Sequence, residues 1–109
     1  MNNYKIDRRR WAKMDIQNQM GNIGSEVGRA IIAKREGNEE RFEGALRRAL
    51  DLFSATTEVL IEQKSPRARE VLRAKDQFLR LFFDGKFESD ADNIDRYFYQ
   101  FALAARSKK

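Results

Sequence analysis

Apolar residues recur at helical spacing in four separate segments of this 109-residue chain. In the first segment the apolar positions advance by steps of four and three residues from Ile16 to Ala30. Such steps place them on one face of an α-helix. We therefore predict a helix over residues 15–36. Gly37 is suited to end that helix, and Asn38 is suited to cap the next one.

The other three segments repeat this pattern. The second runs from Phe42 to Leu60 and stops at Ser65-Pro66, because proline is tolerated at the start of a new helix but not inside one. The third is expected to end near Asp84-Gly85 after five apolar core positions: Val71, Leu72, Phe78, Leu79 and Phe82. Ser89-x-x-Asp92 has the form of a capping box, so a fourth helix is predicted over residues 90–106.

Four amphipathic helices joined by short turns predict an all-α domain, an up-down-up-down four-helix bundle over residues 14–106. A three-helix core with a detached fourth helix is the alternative. Residues 1–13 are expected to form a basic N-terminal arm, and residues 107–109 a basic tail. No apolar run is long enough to span a membrane, and no secretory signal is recognisable, so a cytoplasmic protein is expected.

Three glycines share one face of the first predicted helix: Gly21, Gly24 and Gly28. Glycine inside a helix costs about 0.5–1 kcal/mol relative to alanine, so a compensating role is expected. We favour close helix packing, with a bulky ring such as Phe98 or Phe101 lying across the glycines. A ligand that approaches the bare backbone is the alternative, although no strand precedes the glycines as a dinucleotide site requires.

The third and fourth helices each carry apolar residues beyond their core stripe. Helices that are apolar around more than half of their circumference are usually buried on two sides. The sequence therefore predicts a homo-oligomer, most simply a homodimer, or else a surface for another protein partner. The predicted interface consists of Leu81, Phe83, Tyr99 and Leu103.

The composition removes most familiar kinds of catalytic chemistry. The chain contains no histidine and no cysteine, so Ser-His and Cys-His nucleophile pairs and the usual zinc sites cannot form. Most of the clustered acidic residues fall at predicted helix N-termini, where carboxylates are stabilised without a metal. We expect a protein that is not an enzyme and has no metal or cofactor.

Charge is concentrated at the two ends of the chain. Of the formal net charge of +5, residues 1–13 supply five cations and one anion, and residues 106–109 supply three more cations. The body between them is therefore slightly acidic, at −2. In an up-down bundle both basic ends lie at one pole, where they could contact phosphates and stack a base. The candidate residues are Arg8, Arg9, Arg10, Trp11, Lys108 and Lys109.

The segments 21–27 (GNIGSEV) and 97–101 (YFYQF), with Ala104-Ala105-Arg106, resemble those of a family of small prokaryotic helical proteins that has no assigned activity. This resemblance implies a shared architecture and no catalytic role. The size and bundle pattern are also similar to the four-helix proteins encoded in ribosomal-RNA intervening sequences. That fold-level similarity implies RNA as a partner only by analogy.

Two functions from different classes follow from these features. The first is a non-catalytic protein-interaction or self-assembly module that uses its apolar helix faces. The second is a nucleic-acid accessory protein, with RNA as the expected partner, that uses the basic pole.

Overall fold

A computed structural model describes residues 7–83 and 87–107, and this part of the chain is all-α, as predicted. Its helices number five rather than four, because part of the segment assigned to a basic arm is helical. They are α1 (Arg8–Ala12), α2 (Ile16–Arg35), α3 (Glu39–Glu62), α4 (Arg67–Phe83) and α5 (Phe87–Ser107).

Residues with short polar side chains cap the N-termini of the first two long helices, α2 and α3. The carboxylate of Asp15 accepts a hydrogen bond from the backbone N–H of Asn18 at 2.9 Å, and the side chain of Asn38 accepts one from Arg41 at 3.1 Å. These bonds satisfy backbone donors that have no partner within the helix. Gly37 has a φ of +68°, a left-handed conformation that glycine adopts at little cost, and it separates α2 from α3 as predicted.

The predicted capping box at Ser89 is wrong. Helix α5 begins at Phe87, so Ser89 lies inside its first turn. The ring of Phe87 lies 5.8 Å from that of Phe82 and 5.6 Å from the guanidinium of Arg35. The contacts with Phe82 and Arg35 thus hold Phe87 in the helix. They outweigh the capping-box signal of Ser89 in the local sequence.

Each of the four long helices packs mainly against two of the other three long helices. Helix α2 contacts α3 and α5, and α4 contacts the same two helices from the other side. The ring of Phe53 on α3 joins these layers at the centre, because it lies 5.9 Å from Phe78 on α4 and 6.0 Å from Phe98 on α5. Leu72, which was predicted to be in the core, is instead exposed.

Helix α1 is fixed to the rest of the molecule through Trp11, which is only 6% exposed. Its indole N–H donates a hydrogen bond of 2.8 Å to Oγ1 of Thr56 on α3. Its backbone carbonyl accepts one of 2.8 Å from the buried amide of Gln19 on α2. Residues 7–13 therefore belong to the packed domain, and the arm boundary predicted after residue 13 is wrong for them.

Of the three glycines on this face of α2, Gly24 makes the tightest contact with α5. A Cβ atom added there would lie 2.6 Å from the Cβ of Phe98, which is shorter than real Cβ contacts. At Gly21 the nearest atom to an added Cβ is the Cα of Ala102, at 3.6 Å. At Gly28 the nearest atom is Oδ1 of Asp95, at an ordinary 3.8 Å. Gly24 is thus the glycine that allows the close packing of α2 against α5.

Replacement of two of these glycines by alanine should change stability in opposite directions. Gly24→Ala forces its new methyl against an atom next to the α5 backbone, and overpacking of this kind costs about 1–3 kcal/mol. Gly28→Ala meets only ordinary contact, so its higher helix propensity should stabilise the fold by up to about 1 kcal/mol. Urea unfolding of both variants measures the difference. Equal effects of the two substitutions would contradict the close approach at Gly24.

Candidate functional site

The outer side of α5 carries a continuous stripe of exposed residues. Its members advance by steps of four, three, four and three residues, and they are Asp92, Arg96, Tyr99, Leu103 and Arg106. Tyr99 is 55% exposed and Leu103 is 45% exposed. These are large fractions for apolar side chains one helical turn apart. Two adjacent apolar side chains in a charged surface form a candidate contact patch.

The contact made by Tyr97, two residues before Tyr99, shows which way the exposed stripe of α5 faces. The hydroxyl of Tyr97 donates a hydrogen bond of 2.8 Å to Oε2 of Glu70 on α4. Burial, with that hydrogen bond as a second cause, raises the pKa of Tyr97 well above its usual range. Because residues two apart point to nearly opposite sides of a helix, Tyr99 points away from α4.

Tyr99 borders a groove of about 520 Å³ between α2 and α5. The α2 side is made of Gly21, Gly24 and Ser25, and on the α5 side Ala102 lies beside Phe98. The α2 residues have small side chains or none, so the backbone of α2 lies close to the surface there. The close approach at Gly24 thus creates a depression beside the most prominent ring of α5.

The rim of the groove carries both signs of charge, from Asp92, Asp95 and Arg96. Partial burial raises the pKa of Asp95, the charge of Arg35 opposes this rise, and the charge of Asp92 adds to it. Oδ1 of Asp92 lies 3.5 Å from Nη2 of Arg35, whose Nε lies 3.3 Å from Oε1 of Glu88. Arg35 thus fixes the C-terminal end of α2 to the first turns of α5.

The four residues of the predicted interface do not form one patch. Leu81 is only 2% exposed, so its assignment to an exposed face is wrong. It follows Ala74 and Phe78 at steps of four and three residues, and therefore shares their core-facing side. Phe83 is 75% exposed, but it lies on α4, outside the groove. Tyr99 and Leu103 remain together on α5.

The residues predicted to contact nucleic acid are also dispersed. Trp11 is buried, so the prediction that it stacks on a base is wrong. Arg8 lies 3.5 Å from the carboxylates of both Asp51 and Glu58 on α3. Arg9 and Arg10 are exposed, and they make no ion pair with any residue of the described ranges. Lys108 and Lys109 lie outside those ranges.

A buried ion cluster escaped the sequence analysis. Glu26 is buried between α2 and α3, where its carboxylate lies 3.2 Å from Nη1 of Arg29 and 3.1 Å from Nε of Arg48. Both arginines reach into a cleft of about 620 Å³ whose lining also includes two further arginines and three glutamates. Because its lining carries both positive and negative charges, the cleft has no clear preference for anions. In the sequence Glu26 resembles a solvated helix residue because of its charge, although its spacing from Ile23 and Ala30 places it at the edge of the apolar face of α2.

Within residues 7–83 and 87–107, no three acidic side chains are grouped so that they could hold a metal ion. None of the helices described there combines the length and apolar character needed to cross a membrane. No protein family, curated protein or solved structure matches the chain. The surface geometry alone therefore carries the functional argument.

Removal of the hydroxyl that binds Trp11 should destabilise the domain and loosen α1. In Thr56→Val the buried indole N–H loses its acceptor, which costs about 1–3 kcal/mol. The emission of Trp11, the single tryptophan of the chain, should shift to longer wavelength and become easier to quench with acrylamide. Thr57→Val is the matched control, because the Thr57 hydroxyl donates its hydrogen bond to the Phe53 carbonyl of its own helix. A readily quenched Trp11 in the wild type would contradict its buried position.

Proposed function

We propose that this protein is a non-catalytic self-assembly module that binds a second copy of itself through the outer face of α5. In this proposal its four long helices form an up-down-up-down bundle, with α1 added against α3. The observation that carries the proposal is the exposure of Tyr99, which borders the groove over Gly21 and Gly24, together with that of Leu103 one helical turn further along α5. A surface that carries both protruding apolar side chains and an adjacent depression can fit against a second copy of itself.

Symmetry supports this choice of partner. A two-fold dimer uses the same patch on both copies, so the patch must contain both the protruding and the receiving part of the contact. The outer face of α5 and the adjoining groove meet that condition on one surface. Phe83 is more exposed than Tyr99, but it belongs to a different helix and does not border the groove.

The absence of a catalytic role is part of the proposal. The chain has no histidine or cysteine, so acid–base chemistry would depend on carboxylates, lysine or tyrosine. The groove has two carboxylates at its rim, and Asp92 is already paired with Arg35. Nucleic-acid binding is less well supported than self-assembly, because Arg8 is paired with acids and Trp11 is buried.

A charged substitution on α5 should separate the copies. We expect sedimentation equilibrium of the wild type to give twice the chain mass of 12.8 kDa. The double variant Tyr99→Glu, Leu103→Glu should sediment as a monomer, because it places like charges across the two-fold contact. Its thermal stability at low concentration should be close to that of the wild-type monomer, since both side chains are exposed.

Phe83→Glu is the matched control, since it places the same charge on a more exposed apolar position of another helix. It should leave the dimer intact. A wild-type chain that sediments at 12.8 kDa at millimolar concentration would overturn self-assembly. A monomer produced by Phe83→Glu but not by the α5 variant would overturn the choice of face.

A further inference from the structure

We infer that two copies pair antiparallel along α5 around a two-fold axis that passes beside Tyr99. This inference rests on the proposed self-assembly and specifies its geometry. In it the partner is a second copy of the chain, and the charges of the α5 stripe fix the register. The charge pattern of that stripe is the observation behind it.

Asp92 and Arg106 are placed symmetrically about Tyr99. One lies seven residues before it and the other seven residues after it, and all three lie in the exposed stripe. Seven residues span about 10 Å of helix, or two turns. When two copies of α5 run antiparallel with the axis at Tyr99, Asp92 of each copy lies opposite Arg106 of the other. The stripe is thus complementary in charge to its own reversed copy.

Another register brings like charges together. If the axis moved to the midpoint between Tyr99 and Leu103, each Tyr99 would face a Leu103, but Arg96 would lie opposite Arg106. Like charges placed opposite each other across an interface disfavour that pairing. With the axis at Tyr99, Arg96 instead lies opposite Ala102 and Leu103, where its aliphatic stem can cover apolar surface. Of these two registers, the charges therefore favour the one with the axis at Tyr99.

The groove provides space for this pairing. The ring of Tyr99 from each copy enters the depression beside Gly21 and Gly24 of the other copy. Asp92 retains its pair with Arg35 through Oδ1, which leaves Oδ2 for the arginine of the second copy. Aromatic rings that fill such a pocket at the centre of an interface commonly carry most of its binding energy.

Charge reversal tests the register directly. Arg106→Asp places two acids opposite each other at both ends of the contact and removes two ion pairs, so the dimer Kd should rise by about tenfold at low salt. The double variant Asp92→Arg, Arg106→Asp restores opposite charges and should bring Kd back to within about threefold of the wild type. Sedimentation velocity over a concentration series measures each Kd.

Arg80→Asp is the matched control, because it reverses the charge of an exposed arginine on α4 whose ion pair is with Asp76 of its own helix. It should change Kd by less than about threefold. A dimeric wild type whose Kd is insensitive to Arg106→Asp would overturn the antiparallel register and leave self-assembly intact. If the double variant does not recover a Kd close to that of the wild type, the antiparallel register is overturned as well. A monomeric wild type would overturn the proposed function itself.

Discussion

The contact between Gly24 of α2 and Phe98 of α5 is the constraint on which the surface of this molecule depends. The backbone of α2 comes so close to the Phe98 side chain that even a methyl group at position 24 would collide with it. The same Phe98 ring packs at 6.0 Å against Phe53 of α3 at the centre of the core. One close approach therefore sets both the position of α5 and the depth of the groove beside it.

The helices and their core faces could be predicted because they follow from local spacing and end signals. The step pattern from Ile16 to Ala30, the cap at Asn38 and the left-handed Gly37 all act within a few residues of chain. The glycine face could also be predicted, since glycine in a helix costs stability unless it allows close contact. Phe98 was named beforehand as one of the two rings expected there.

Some failures of prediction arise from tertiary contacts that local sequence does not encode, and others arise because a residue's helical spacing was assigned to the wrong face. Trp11 lies between arginines and a lysine in sequence, yet it is buried because Thr56 and Gln19 provide hydrogen-bond partners from two other helices. Leu81 was assigned to the surface although its spacing from Phe78 places it in the core. Glu26 was missed although it lies three residues after Ile23 and four before Ala30 on α2. Its partner Arg29 is one turn away on the same helix, and only the contact with Arg48 depends on the packing of α3.

Isotope-filtered NMR tests most directly whether two copies meet along α5 with Tyr99 at the symmetry axis. A mixture of ¹³C-labelled and unlabelled chains reports only contacts between different copies. An antiparallel pair along α5 should give intermolecular NOEs from the Tyr99 ring to the Ala102 methyl and to the α protons of Gly24. Intermolecular NOEs confined to Leu72 and Phe83 of α4, or none at concentrations where the chain is dimeric, would contradict it.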